Sequence, residues 1–88
     1  PDERRAATVV YRALTTAQAA FHAGERNAAV LRGCMEAVID AETLARHQYL
    51  SCADPDTLRE LDGQVERALL SLAVFVVDTR QIDNLLLE

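Results

Sequence analysis

Positions 69–77 constrain the fold more than any other part of the chain. They read LLSLAVFVV, and only Ser71 is polar. Val74, Val76 and Val77 are β-branched and favour an extended backbone. The run falls well short of the about 20 apolar residues needed to cross a bilayer. A buried strand lying centrally in a small sheet is the economical solution. Asp78 breaks the run, and positions 79–82 resume a strand-like pattern. Two extended segments around one short polar break predict a hairpin. No Gly sits at the break, so the turn type is open.

The chain has 88 residues, enough for one domain. Domains near this size bury roughly 60–65% of their unfolded surface. Half of the residues are hydrophobic, which reads either as a face that meets something else or as a fraction inflated by Ala and Cys. The net charge of −5 argues against duplex nucleic acid as a partner, because phosphate backbones select basic surfaces. No segment reads as a signal peptide or a membrane span, so a cytoplasmic, reducing setting is expected. Cys34 and Cys52 form no paired motif and read as small buried hydrophobes. The chain opens on Pro1 rather than Met and is expected to be a piece of something longer.

Pro1, Asp2 and Glu3 read as a helix start: Pro suits the first turn, and the two carboxylates suit the positive end of the dipole. Val10, Leu14, Ala17 and Phe21 form one apolar stripe on a helix that Gly24 ends. Asn27 caps a second helix, whose Leu31, Cys34, Met35, Val38 and Ile39 recur at the helical period. Gly33 inside it is expected to permit close approach of the first helix. Positions 43–46 read as a connection, and 47–53 alternate weakly, as a strand. Asp54-Pro55-Asp56-Thr57 is a turn, because Asp bonds backbone two residues on and Pro presets φ. Positions 58–61 form one helical or extended turn before Asp62-Gly63. The predicted class is α+β, in the order α-α-β-β-β: a two-helix antiparallel hairpin packed on a three-stranded antiparallel sheet.

Candidate chemistry is sparse. Only His22 and His47 offer a base near neutrality, and neither sits in a motif; both read as surface residues. Asp54 and Asp56 flank a Pro and read as turn formers. Gly24, Gly33 and Gly63 are isolated, so no phosphate-cradling loop is present. Metal-ligand spacing is absent. No catalytic, cofactor-binding or metal-ligating residue is therefore assigned. Arg80, Asp83 and Asn84 stand out in an apolar tail. They read either as a polar cluster touching a ligand or neighbouring domain, or as structural groups. In the structural reading Arg80 pairs with a carboxylate at the sheet rim, and Asp83 and Asn84 satisfy backbone groups in a bend.

The order of motifs resembles the C-terminal domain of the pantoate–β-alanine ligase family. The matching pieces are Pro1-Asp2-Glu3-Arg4, Ala23-Gly24-Glu25-Arg26, the strand and turn from Gln48 through Asp54-Pro55-Asp56-Thr57-Leu58, and the ending Thr79-Arg80-Gln81-Ile82-Asp83-Asn84. The likeness covers essentially the whole chain. Asp78 stands where the family often has Gly-Lys, Gln48 replaces a frequent Asp, and Gln81 replaces an aliphatic residue. The resemblance implies a parent enzyme that joins pantoate to β-alanine with ATP and Mg²⁺ through pantoyl adenylate. It implies that residues 1–88 form the single lid domain, and that the N-terminal nucleotide-binding domain is absent and would be its partner. The chain alone is expected to bind no cofactor, to be inactive and to self-associate. A free-standing interaction or dimerisation module is the alternative.

Overall fold

The computed structural model describes residues 2–88, so the expected place of Pro1 in the first turn lies outside the described residues. The side chains of Asp2 and Glu3 lie outside them too. The first helical region is two pieces, α1 (Asp2–Ala7) and α2 (Val9–His22), instead of the single helix expected. Thr8 causes the interruption. The Arg5 carbonyl accepts from the Thr8 hydroxyl at 2.8 Å, the Thr8 N–H at 3.2 Å and Arg12 Nη2 at 3.0 Å. A side chain that bonds backwards in this way competes with the helical ladder and tightens the turn. Beyond it, Val10, Leu14, Ala17 and Phe21 are all buried, as their spacing predicts.

Gly24 ends α2 at φ +114°. The Glu25 N–H donates to the Ala20 carbonyl and the Gly24 N–H to the Phe21 carbonyl, the paired bonds of a helix stop that needs a left-handed residue. Asn27 caps α3 (Ala28–Asp40), its side chain accepting from the Ala29 and Val30 N–H groups. Leu31, Met35 and Ile39 are fully buried against α2 and the sheet. Gly33 is exposed, with no atom within 4 Å of where a Cβ would sit. It therefore does not serve a close approach of helices.

The sheet holds β1 (Ala45–Ala53), β2 (Ala68–Val76) and β3 (Thr79–Leu87), antiparallel, in the order β1-β2-β3. The apolar run is the central strand, as predicted. Ala68, Leu70, Leu72, Val74 and Val76 face the helices and are buried. β1 begins two residues earlier than expected, because the Leu44 carbonyl accepts from the Val77 N–H at 3.0 Å and carries the pairing to the hairpin tip. Val77, the first of the two turn residues, has φ +55°, a conformation usually given to Gly in a type II′ turn. Residues 58–61 form no helical turn: Leu58 takes a left-handed φ of +64°, and beyond it the Leu61 N–H donates to the Cys52 carbonyl and Glu60 bridges to Ala53. Asp54 makes the expected turn, its Oδ1 accepting from the Asp56 and Thr57 N–H groups.

Candidate functional site

The helices cover only one face of the sheet. The opposite face is built from residues that pair in rows across the three strands. The rows are Arg46–Phe75–Arg80, Tyr49–Ala73–Ile82, Ser51–Ser71–Asn84 and Ala53–Leu69–Leu86. Tyr49 is 41% exposed, Ile82 57% and Leu86 41%. An apolar strip flanked by polar groups is the composition of a surface that another body covers.

The upper row carries the charge. The Arg46 guanidinium lies over the Phe75 ring, 4.8 Å from its centroid, within cation–π range. Arg80 comes from the opposite strand and reaches over β2 to β1, where its Nε donates to Gln48 Oε1 at 2.8 Å. Gln48 is available there because β1 bulges: the register slips between His47 and Tyr49, and Gln48 has no partner on β2. A bulge re-aims a side chain in this way and increases the local twist. Among the described residues neither Arg46 nor Arg80 forms an ion pair. The carboxylate partner expected for Arg80 is thus an uncharged amide.

Asp83 and Asn84 do not join Arg80 in one cluster. β3 runs on to Leu87 without the expected bend. Asn84 shares the open face with Arg80, whereas Asp83 pairs with Leu72 on the helix side. Asp83 Oδ1 accepts from the Asn84 N–H at 2.8 Å, a local bond within the strand.

The two histidines lie at opposite ends of α3. His22 is exposed at the end of α2 beside the Phe21 ring. His47 stands on the helix side of β1, with its ring nitrogens 3.9 Å from Glu36 and 3.6 Å from Asp40. An open groove of about 430 Å³ runs there between α3 and β1. Among the described residues no Ser, Thr or Cys side chain lines it. Among the described residues no three His, Cys, Asp or Glu side chains gather as metal ligands. No helix of the described residues is long and apolar enough to cross a membrane. Cys34 and Cys52 are free, and burial pushes the Cys52 thiol up.

A second polar cluster closes the other end of β1. Arg32 Nη1 donates to Glu60 Oε2 at 2.7 Å and to the Leu61 carbonyl at 2.8 Å. Glu60 also accepts from the Ser51 hydroxyl at 2.6 Å and from the Cys52 N–H at 2.8 Å. The pattern alone gave no signal for this cluster, because its members lie on three different segments.

The fold defines an α+β domain with one side of its sheet packed under helices and the other side open. A family model described as Pantoate-beta-alanine ligase matches residues 1–86. A pantothenate synthetase of Roseiflexus sp. is 59% identical over 88 residues, covering 100% of this chain and 32% of that relative. One from Chloroflexus aurantiacus is 52% identical, covering 99% and 31%. The crystal structure of pantothenate synthetase from Thermus thermophilus superposes with a TM-score of 0.83 at 32% identity, over 97% of this chain and 30% of that one. The chain belongs to the pantoate–β-alanine ligase family, and it spans about a third of the length of these relatives.

Proposed function

We propose that this chain is the C-terminal lid domain of an ATP-dependent ligase that condenses pantoate with β-alanine through pantoyl adenylate, releasing AMP and pyrophosphate, in the cytoplasm. The observation that carries the reading is the uncovered sheet face, with Tyr49, Ile82 and Leu86 exposed on one side of an otherwise packed domain. The share of the relatives' length supports it, since it leaves some two thirds of such a protein to supply other parts. In this reading the N-terminal nucleotide-binding domain is the partner. It holds ATP, Mg²⁺ and both substrates in this reading. The contribution of this chain is cover. An acyl adenylate hydrolyses when water reaches it, and a closing domain excludes that water.

The test is a domain exchange. This chain replaces the matching segment of the Roseiflexus ligase, and pantothenate formation is followed beside the ligase truncated before that segment. The hybrid is expected to retain synthesis. The truncated form is expected to lose it and to release free pantoate and AMP from hydrolysed adenylate. The 88 residues alone, given ATP, pantoate and β-alanine, are expected to show no turnover; appreciable turnover would refute the division of labour.

The unpaired outer edge of β3 supports a second reading, a module that pairs with another copy of itself. Both readings expect self-association, so sedimentation at rising concentration is read together with the domain exchange. Strictly monomeric behaviour removes the module reading and counts against the exposed partner face of the lid, and a tight dimer that the exchange experiment cannot use removes the lid.

A further inference from the structure

We infer that the Arg46–Phe75–Arg80 row is an anion site that takes a polyphosphate, of the kind carried by pyrophosphate or a nucleotide. The sheet has two arginines, and the ladder sets them in one row on either side of Phe75. Cross-strand Cβ atoms lie about 5 Å apart, so the two side chains start about 10 Å apart. Arg46 lies over the central ring, and Arg80 reaches across β2 to Gln48 on the strand that carries Arg46.

Each guanidinium is held by a contact that leaves its outer donors free. Arg46 places its guanidinium carbon over the Phe75 ring, a contact that uses none of its N–H donors. Arg80 uses Nε on Gln48, which leaves the Nη1 and Nη2 groups. Among the described residues Arg12, Arg32 and Arg67 pair with acids, whereas Arg46 and Arg80, like Arg26 and Arg59, do not, and only Arg46 and Arg80 share a row of the sheet. In a chain of net charge −5, two positioned cations on one face with no ion-pair partner among the described residues are complementary to an anion. One carboxylate satisfies one guanidinium fork. A diphosphate offers enough charge and oxygens for two forks at once, and guanidinium suits such bidentate contacts. Gln48 is a positioning residue: it fixes Arg80 without adding a negative charge.

The choice of polyphosphate rests on the lid reading, since the proposed reaction releases pyrophosphate beneath this face. The site itself is tested directly on the 88-residue chain. Sodium pyrophosphate is titrated at constant ionic strength while the arginine Nε–H and the Phe75 ring signals are followed by NMR. Sodium acetate and a poly-glutamate peptide serve as parallel arms. The expected result is a saturable pyrophosphate shift at Arg46, Phe75 and Arg80, weakened at least tenfold in Arg80→Gln and in Arg46→Gln. Gln48→Asp, which sets a carboxylate beside Arg80, is expected to weaken it similarly. Circular dichroism checks that these surface variants keep the fold. Absence of a saturable shift overturns the site, as does unchanged binding in both Arg variants. Tighter binding of poly-glutamate than of pyrophosphate overturns the polyphosphate assignment. A failed titration beside a working domain exchange sinks the anion site and leaves the lid.

Discussion

Arg32 on α3 and Glu60, 28 residues further along, form an ion pair at 2.7 Å that fastens the helix layer to the segment running beside β1. Glu60 occupies that segment's bridge to Ala53, so one carboxylate serves a helix, a strand and a loop.

The pair makes stability depend on pH in a definable window. Partial burial, the largest single influence on Glu60, raises its carboxyl. The hydrogen bonds from Cys52 and Ser51, with the Arg32 charge, together outweigh it and hold the carboxyl below its ordinary 4.5. A depressed folded-state value contributes stability above the unfolded value, and that stability is lost as pH falls through the folded one. Glu60→Gln is expected to cost about 1 kcal/mol at pH 7, discounted because the side chain is half exposed. The difference from the parent chain should stay constant above about pH 5 and disappear in acid. Denaturant midpoints across pH 2–7 measure it; a gap that persists at pH 2 would refute this role.

The sheet's two faces should respond unequally to truncation. Leu72 on the helix side is fully buried, and Leu72→Ala is expected to cost about 2–5 kcal/mol. Ile82 on the open face is 57% exposed, and Ile82→Ala is expected to cost under about 1 kcal/mol in the isolated chain. Urea unfolding of both variants checks the contrast.

Val77 stands where the hairpin wants glycine. A β-branched residue at φ +55° carries strain of about 1–3 kcal/mol. Val77→Gly releases it, keeps the N–H that reaches Leu44, and gives back about 1 kcal/mol through the freer unfolded chain. A net rise in Tm is expected by thermal unfolding, and a fall would show that the half-exposed valyl side chain packs more than its exposure implies.

Asn27 supplies the only side-chain cap found at the start of α2 or α3. Asn27→Ala leaves the Ala29 and Val30 N–H groups without that acceptor and is expected to cost about 1 kcal/mol. On a domain of this size that is a fall of about 4–8 °C in Tm.

The helices were legible where the signal was local. The stripe ending at Phe21 and the run from Leu31 to Ile39 follow the period of the backbone, and Asn27 and Gly24 mark their ends. The central strand was legible because both of its faces are apolar. The features missed were those set by competition or by distant segments. The break at Thr8 depends on a hydroxyl choosing a backward bond. β3 beyond Ile82 hid behind Asp83 and Asn84, which are tolerated because β3 is an edge and both are exposed. The weak alternation of β1 had a cause invisible in the pattern: one residue too many at Gln48. The open face was legible only as an excess of hydrophobic residues, and its arginine row required the register.

That surplus residue has an evolutionary reading. Strands ordinarily forbid single-codon gains and losses, since each flips every following side chain to the wrong side. Here His47 faces Val74 and Tyr49 faces Ala73, so excising Gln48 would leave both halves of the strand in phase. A lineage could acquire or discard the amide that steadies Arg80 in one step, without disturbing the packed side of the molecule.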